Sequence, residues 1–557
     1  MKNERQRRTD EARKNSTELE NNLVDELKAG RISRREFVRQ GTVIGMSVPA
    51  VAFLASACGS SETTGGGGAA PQGQVRTGGT IRAGIVKPAT ALDPRLVQDQ
   101  GGLAVLGQTG EYLAFSNNKL ELEPRIAESW KPNADGSEWT FKIRQGVTFH
   151  DGSPVDARDV VASFENLTDP DTGGNALSAF KGVLSPGGAK ARDASTVVFS
   201  LDNPTGNFPY IVSSDNYNAI IIPRDLDPED WEKTFMGSAA WKLDNFRQAS
   251  GVTFLPYANY WDAQGKPKAE RAEIRFYNEE QAEVLALQGG EVDVIAQYSV
   301  SGGKALLTNP NVRTVEVRAS QHRQVHMRTD KEPFQDKRVR QAVALLINRQ
   351  AYVQGLLAGK ADLGNDSPFA PVYPYSDRSV PQRQQDVAQA KELLVAAGKG
   401  DGFSVTLNTH RLQELPDLAA LIQNDLKQAG INVRLNITDS VQYYEQYWLD
   451  SDFGITEYGH RGAPNGTLTA PLTSKGTWNA AHFENKEFDR AVADFTAALD
   501  PGRQRAAAGK IQRMLLDETP VLFPYFYFYL SGTKPNVGGV RVSPMGHVEL
   551  EGAGFTA

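Results

Sequence analysis

The sequence has 557 residues, 40% hydrophobic and 23% charged, with 60 Lys and Arg against 67 Asp and Glu, a formal net charge of −7 and one cysteine. The acidic balance argues against nucleic acid as a partner, since binding its phosphates requires clustered Lys and Arg, and a lone thiol excludes an internal disulfide framework. The length exceeds what one hydrophobic core supports and suits two or three lobes.

Residues 1–32 are dense in charge. Ser33-Arg34-Arg35-Glu36-Phe37-Val38-Arg39 follows, and then a run from Gly41 to Ala57 without any charge. As a helix this run reaches roughly 25 Å at about 1.5 Å per residue. A bilayer core of about 30 Å needs more, and Gly41, Gly45 and Pro49 weaken the run as a span. A charged head, a short apolar middle and small residues at Ala55-Ser56-Ala57 form the layout of an export signal. The Ser-Arg-Arg-x-Phe-Val-Arg stretch resembles the twin-arginine export motif, with Arg34 and Arg35 as its arginine pair. Leu54-Ala55-Ser56-Ala57-Cys58 resembles a lipoprotein processing box, although its Leu stands four places before the cysteine instead of three. The expectation is a signal over 1–57, a lipid on Cys58 that anchors the protein outside the membrane, and a flexible tether over 58–78 rich in Gly, Ser and Thr. The first 57 residues carry 11 Lys and Arg against 8 Asp and Glu, so the exported part holds about −10.

Beyond the tether, Thr80–Val86 alternates as a strand. Glu138–Ile143 and Val147–His150 read as a strand pair turning at Arg144-Gln145-Gly146. Asp156, with Asp159 three residues on, opens a helix through Phe164. Lys337–Leu357 and Asp386–Ala397 carry apolar residues at helical spacing. Phe403–Asn408, Asp417–Ala429 and Asn432–Ile437 then read strand, helix, strand, so the lobes are α/β. Val521–Leu530 reads as a buried strand that crosses between lobes. No later stretch of 18 uncharged apolar residues and no internal repeat is found.

Ile126–Leu167 contains Ala127-Glu128-Ser129-Trp130, Asp135-Gly136, Phe141-x-x-Arg144-x-Gly146-Val147-x-Phe149-His150-Asp151-Gly152 and Ala157-x-Asp159-Val160. Together these resemble the signature region of the family 5 solute-binding proteins of ABC importers, which include oligopeptide, dipeptide and nickel binders. Asn259-Tyr260-Trp261, Gly290-Glu291-Val292-Asp293, Pro333-Phe334-x-Asp336-x-Arg338-Val339-Arg340-Gln341-Ala342 and Asn485-x-Glu487-Phe488-Asp489 continue the resemblance in order over about residues 79–555. Gly237-Ser238-Ala239-Ala240-Trp241 departs from the family's Gly-Thr-Gly-Pro-Tyr turn. The resemblance implies an α/β, two-lobed periplasmic-binding-protein (type II) fold with an extra inserted subdomain and two hinge crossovers. Lobe I takes 79–114, 233–318 and 520–557, its inserted subdomain 115–232, and lobe II 319–519. The hinges fall at about 316–327 and 519–530.

The implied function is capture of a peptide or peptide-like solute between the lobes and delivery, without chemistry, to membrane permease and ATPase subunits of an ABC importer. The chain is expected to act as a monomer, without cofactor, metal or nucleic acid. Peptide-binding members place a carboxylate shortly after a tryptophan, where it meets the ligand's ammonium. Counting from Asp452, Tyr458 falls here at the aromatic position and Arg461 at the carboxylate's. A guanidinium offers a fork of donors to a carboxylate or phosphate instead, so an anionic, opine-like or glycosidic solute is the alternative, with His460 beside Arg461. The competing reading pairs Arg461 with Glu457 or another local acid and turns it to solvent. Family position adds Gln98, Asp99, Gln297, Tyr298, Trp478 and Asn479 to the lining, with Tyr298, Tyr458 and Trp478 able to stack on an apolar body.

Rival chemistry is thin. Ser301-Gly302-Gly303-Lys304 has the Ser-x-x-Lys spacing of active-serine hydrolases, and Ser214-Asp215-Asn216 supplies a second element, but Gly532-Thr533-Lys534 runs backward relative to the third. His322 and His326 stand roughly 13 Å apart along a strand, too far to share a metal. No phosphate-binding GxxxxGK[ST] loop occurs, so ATP is left to partner subunits.

Overall fold

The computed structural model describes residues 16–46, 51, 54, 74–174 and 176–556; Cys58 and residues 59–73 of the tether lie outside them. Two seven-stranded sheets organise the rest. The first runs, edge to edge, Arg313–Val317, Tyr529–Thr533, Val294–Ile295, Thr80–Val86, Arg271–Tyr277, Gly251–Pro256 and Trp241–Arg247. Thr80–Val86 lies centrally and pairs parallel with Arg271–Tyr277 along its whole length. Ile81, Ala83 and Ile85 alternate into the core, as the sequence pattern requires of a strand.

The second sheet is ordered Ala361–Leu363, Tyr525–Tyr527, His322–Met327, Phe453–Tyr458, Phe403–His410 and Ile431–Thr438, with Val521–Leu522 also against His322–Met327. Phe403–His410 and Ile431–Thr438 are parallel neighbours, joined by the helix Leu415–Lys427. That helix buries Leu418, Ala419, Ile422 and Leu426, the 3–4 spacing that lays one stripe on a sheet.

A four-stranded antiparallel sheet (Ala127–Pro132, Glu138–Ile143, Thr196–Ser200, Ala189–Asp193) forms the insertion. Its core is aromatic, with Phe199 5.3 Å from Phe141 and 5.1 Å from Phe164 in edge-to-face packing. Glu138–Ile143 does not pair with Val147–His150 as expected. Both its edges are taken, by Ala127–Pro132 and Thr196–Ser200, and Thr148 is left with a single bridge to Pro154. The expected helix after Asp156 spans Ala157–Thr168 and is closed by a reciprocal Asp156/Asp159 capping box. Lys337–Leu357 is broken into Lys337–Leu346 and Arg349–Gly355, because Asn348 caps a fresh start by accepting from Ala351 N.

Two crossings join the sheets. The first separates Val317 from His322, and the second falls at Phe528, between Tyr525–Tyr527 and Tyr529–Thr533. Val521–Leu530 is therefore three short strands instead of one, and 521–527 stay with the second sheet, not with lobe I as a boundary at 520 had it. Pro524 has no N–H to donate to a ladder, and the chain needs a change of sheet at Phe528.

Residues 16–46 lie against both halves. Thr17 and Ser33 cap the helices Glu18–Lys28 and Arg34–Val43 through capping boxes, and Arg34 and Arg35 project from the first turn into solvent. Leu122 N donates to Thr42 Oγ1 (3.0 Å) and Trp130 Nε1 to the Val43 carbonyl (3.0 Å). The buried Arg39 guanidinium donates to the carbonyls of Lys119, on the insertion side, and Val372, on the opposite side.

Beside the hinge, Arg323 is 1% exposed and Glu414 4%. Arg323 Nε donates to Glu414 Oε1 (2.8 Å) and its Nη2 to Oε2 (3.0 Å), while Tyr525 OH also donates to Glu414 (2.9 Å) and Arg323 Nη1 to Tyr527 OH (2.8 Å). This pair ties Tyr525–Tyr527, just before the return crossing, to the second sheet. Glu414→Ala leaves an uncompensated buried guanidinium and is expected to lower unfolding free energy by about 3–5 kcal/mol, read by urea denaturation; a change below about 1 kcal/mol would show that the pair does not hold this region.

Candidate functional site

The insertion and the second lobe meet where three loops converge. The strand Phe453–Tyr458 ends into Gly459-His460-Arg461-Gly462, the first crossing supplies Ser320, and the insertion supplies Tyr210 and the loop Ser213–Asn216. A hydrogen-bond network locks the first two together. Ser320 N donates to His460 Nδ1 (3.0 Å), Arg461 N to Ser320 Oγ (3.1 Å), and the Tyr373 hydroxyl bridges Ser320 Oγ (2.8 Å) and the Arg461 carbonyl (2.5 Å). The loop bearing Arg461 is thus fixed to the hinge itself. Because Nδ1 of His460 must accept from a backbone N–H, its Nε2 carries the proton, and this buried N–H has no partner. Burial, then Arg461 and Arg39, hold the His460 pKa down to about 3; the ring stays neutral.

Opposite stands Asp215. It is 5% exposed and neither carboxylate oxygen has a hydrogen-bond partner. Burial pushes its carboxyl from 3.8 up to about 7, while the nearby Ser116 hydroxyl and the Arg461 guanidinium pull the other way. The Ser116 hydroxyl approaches without completing a hydrogen bond of good geometry and is itself unpartnered. The loop is held by its backbone: Ser116 N donates to Ser214 Oγ (2.8 Å) and His547 Nε2 to the Ser214 carbonyl (2.7 Å). Asp215 presses on Gly462, where a Cβ would come within 1.8 Å of Oδ2 and 2.5 Å of Tyr210 Cδ1. Glycine is required there because the two halves touch. Asn207 Nδ2 donates to Asn465 Oδ1 (3.2 Å) across the same junction.

An aromatic wall flanks it. Tyr458 stacks on His322 (5.3 Å, 15°) and lies 6.3 Å from Trp478, which lies 6.3 Å from Trp448. Of the residues expected at the site, Tyr458 and Trp478 share this wall, and His460 and Arg461 share the network facing Asp215. Glu457 bonds to His410 Nε2 (2.8 Å) and Tyr444 OH (2.6 Å), so it is engaged away from Arg461, whose Nη1 donates to the carbonyl of His460 (2.9 Å).

Three of the remaining candidates, Asp99, Tyr298 and Asn479, are engaged by their own surroundings. Asp99 caps the helix Gln100–Thr109, accepting from Gly102 N (2.9 Å) and Ala89 N (3.1 Å); Gln98 is exposed and Gln297 half-buried. Tyr298 is buried, its hydroxyl 2.6 Å from Thr314 Oγ1. Asn479 staples its own turn through Thr473 O, Phe483 O and Phe483 N. Ser301 hydrogen-bonds Ser299, and Lys534 pairs with Asp293 (2.8 Å), so Lys534 is spoken for. Among the described residues no three His, Cys, Asp or Glu are grouped to hold a metal ion, and no helix is long and apolar enough to cross a membrane.

Asp215, Ser116, Ser320 and Tyr373 escaped the sequence reading. Ser214-Asp215-Asn216 was noticed only as half of a catalytic motif, and nothing local marks an Asp that faces another lobe some 250 residues away in sequence.

The profile of bacterial extracellular solute-binding proteins, family 5, matches residues 121–480, and the chain belongs to that family. Among curated relatives, the glutathione-binding protein GsiB of Escherichia coli strain K12 is 26% identical over 475 residues, covering 82% of this chain and 90% of GsiB, and the Salmonella typhi GsiB matches equally. Among solved structures, CtaP of Listeria monocytogenes superposes with TM-score 0.76 at 20% identity, covering 86% of this chain and 100% of CtaP. DppA from Helicobacter pylori, solved with the peptide STSA, superposes at 0.71 with 20% identity over 86% of this chain and 99% of DppA. These neighbours share the two-lobed type II architecture.

The Asp215 carboxyl carries a pH prediction. With the junction packed as it is here, its pKa, about 7, lies above its ordinary 3.8, so the packed junction binds the extra proton and the stability it contributes is fully present below about pH 4 and lost as pH rises through 7. Around it Tyr210, Tyr373 and His460 stay neutral across this window. Opening the lobes relieves the ionised group. The solute-free protein is expected to expand between pH 5 and 8 by small-angle scattering, and Asp215→Asn to expand less. Glu551, also raised to about 7, is common to both chains, so the difference isolates Asp215; identical expansion would contradict the prediction.

Proposed function

We propose that this family 5 protein captures a peptide or peptide-like solute between its lobes and hands it, chemically unchanged, to the permease and ATPase subunits of an ABC importer. The observation that carries this reading is the meeting, at the lobe junction, of a buried Asp215 from the insertion and Arg461 from the second lobe, flanked by the Tyr458–Trp478 wall. Polar groups that converge across a hinge, without a bonded chain of nucleophile and base among them, suit reversible capture. The relatives support it: GsiB is described as glutathione-binding and the Helicobacter DppA structure holds a peptide. Arg461 favours one second reading, an anionic opine-like solute, in line with AgaA, solved with agropinic acid at TM-score 0.70 and 22% identity.

A solute that binds the folded chain alone raises its melting temperature, by the equivalent of about 2.7 kcal/mol at a hundredfold excess over Kd. Glutathione, Ser-Thr-Ser-Ala, Met-Leu and agropinic acid are the set to screen by thermal shift. At least one is expected to stabilise the chain and to be recovered intact by mass spectrometry; a processed product would overturn the non-enzymatic reading. Arg461→Ala is expected to weaken carboxylate-bearing solutes by about 1.5–3 kcal/mol.

The same reading places the protein outside the cytoplasmic membrane as a monomer, exported through Arg34-Arg35 and anchored through a lipid on Cys58. The exposure of Arg34 and Arg35 on a helix capped by Ser33 supports recognition of the pair. Replacing both with Lys is expected to leave the chain in the cytoplasm on fractionation, and Cys58→Ser to release it from membranes; unaltered fractionation of either variant would refute that step.

A further inference from the structure

We propose that residues 16–46 act as a latch in the chain that still carries its N-terminal segment: they pin the insertion to the second lobe, and the junction is free to part only once the segment has been removed or displaced. This rests on the two-lobed capture reading above and adds a control over when the lobes can separate.

The segment is itself folded. Its helices, of 11 and 10 residues, are too short to hold alone in water and depend on packing. They bury Leu23, Val24, Phe37 and Ile44 in a small apolar core of their own. On the insertion side, Thr42 Oγ1 and the Val43 carbonyl accept from Leu122 N and Trp130 Nε1. Gly45, at φ +86°, lies so close that a Cβ would fall 1.9 Å from the Trp130 carbonyl oxygen. On the second lobe, Arg505 Nη1 donates to Glu26 Oε2 (3.2 Å), and Arg378 Nη2 stands 3.7 Å from Glu36 Oε1. The Arg378 side chain is 78% exposed, so that pair contributes little.

Arg39 joins the two sides. It is 4% exposed, and its Nε donates to the carbonyl of Lys119 (2.7 Å) on the insertion while Nη1 donates to that of Val372 on the second lobe. Leu120, next to Lys119, is fully buried in the apolar cluster that Val372 shares with Phe369, Tyr373 and Phe488. Arg39 therefore grips the insertion at the point where it hooks into the second lobe. Parting the halves withdraws Leu120 from that cluster and takes one carbonyl from a buried guanidinium, and a buried charge that loses its partner is a costly group. Without residues 16–46 only the hook remains. Arg34 and Arg35, on the same helix, face solvent, so the latch uses the opposite face from the one the export reading needs.

The test measures the distance across the junction in the full-length chain, with no solute added. Cys58→Ser removes the native thiol, and spin labels are attached through Lys190→Cys on the insertion and Lys427→Cys on the second lobe, both exposed positions. Double electron–electron resonance is recorded for this parent and for the same chain with Arg39→Ala, with Gly45→Ala, or with Arg34→Lys and Arg35→Lys together; circular dichroism and melting temperature are recorded for each. The parent is expected to give one narrow distance. Arg39→Ala and Gly45→Ala are expected to add a longer one and to raise the ratio of parted to joined molecules by roughly tenfold, the effect of losing one hydrogen bond to a charged group. The double lysine variant is expected to keep the parent's distribution. Two latch variants are used so that a fold defect in one does not decide the result. An unchanged distribution in a folded latch variant overturns the proposal, as does a parent that is already broad or a double lysine variant that opens equally. Because no solute enters the measurement, a chain that captures none of the screened solutes refutes the function proposed above without touching the latch.

Discussion

A carboxyl enclosed where the insertion meets the second lobe, with no hydrogen-bond partner on either oxygen, is the constraint on which this junction depends. Asp215 abuts Gly462 so closely that no larger residue fits between the halves. A rigid protein would have no use for such a group, since an apolar residue of similar size would be more stable there. In a hinged one, separating the two halves returns the carboxyl to water and relieves that cost.

The surrounding structure transmits that cost to the hinge. Ser320 lies in the first crossing and bonds at once to His460, Tyr373 and the Arg461 backbone. The loop after Phe453–Tyr458 and the first crossing are therefore one hydrogen-bonded unit. Close by, the Arg323–Glu414 pair with Tyr525 and Tyr527 ties the strand before the return crossing to the second lobe. The docking of residues 16–46 adds a further bridge, since the Arg39 guanidinium reaches carbonyls on both sides of the junction. A chain that retains this segment has its lobes linked by more than the two crossings.

Much of the fold was legible because its signals are local. The alternation in Thr80–Val86, the Asp156/Asp159 capping box and the strand–helix–strand of 403–438 each depend on neighbours within a few residues, and each is present. Errors arose where a local pattern met a distant competitor. Glu138–Ile143 did not turn onto Val147–His150 because strands from elsewhere in the insertion had already claimed its edges, and Val521–Leu530 was cut where the chain had to change sheets. The candidate site divides in the same way. Tyr458, His460 and Arg461 are candidates by counting along one lobe and Trp478 by family position; Asp215 is visible only in space, because what sets it apart is the lobe it faces.

By itself the sequence determined the class of elements, their order and the family, since these are carried by periodicity, caps and motif spacing. Only the tertiary structure decided which charges confront one another, that Glu457 is spent on His410 and Tyr444, and that Asp215 is sealed without a partner. Desolvation and Coulomb interaction depend on distance through space, and separations of hundreds of residues along the chain carry no trace of it.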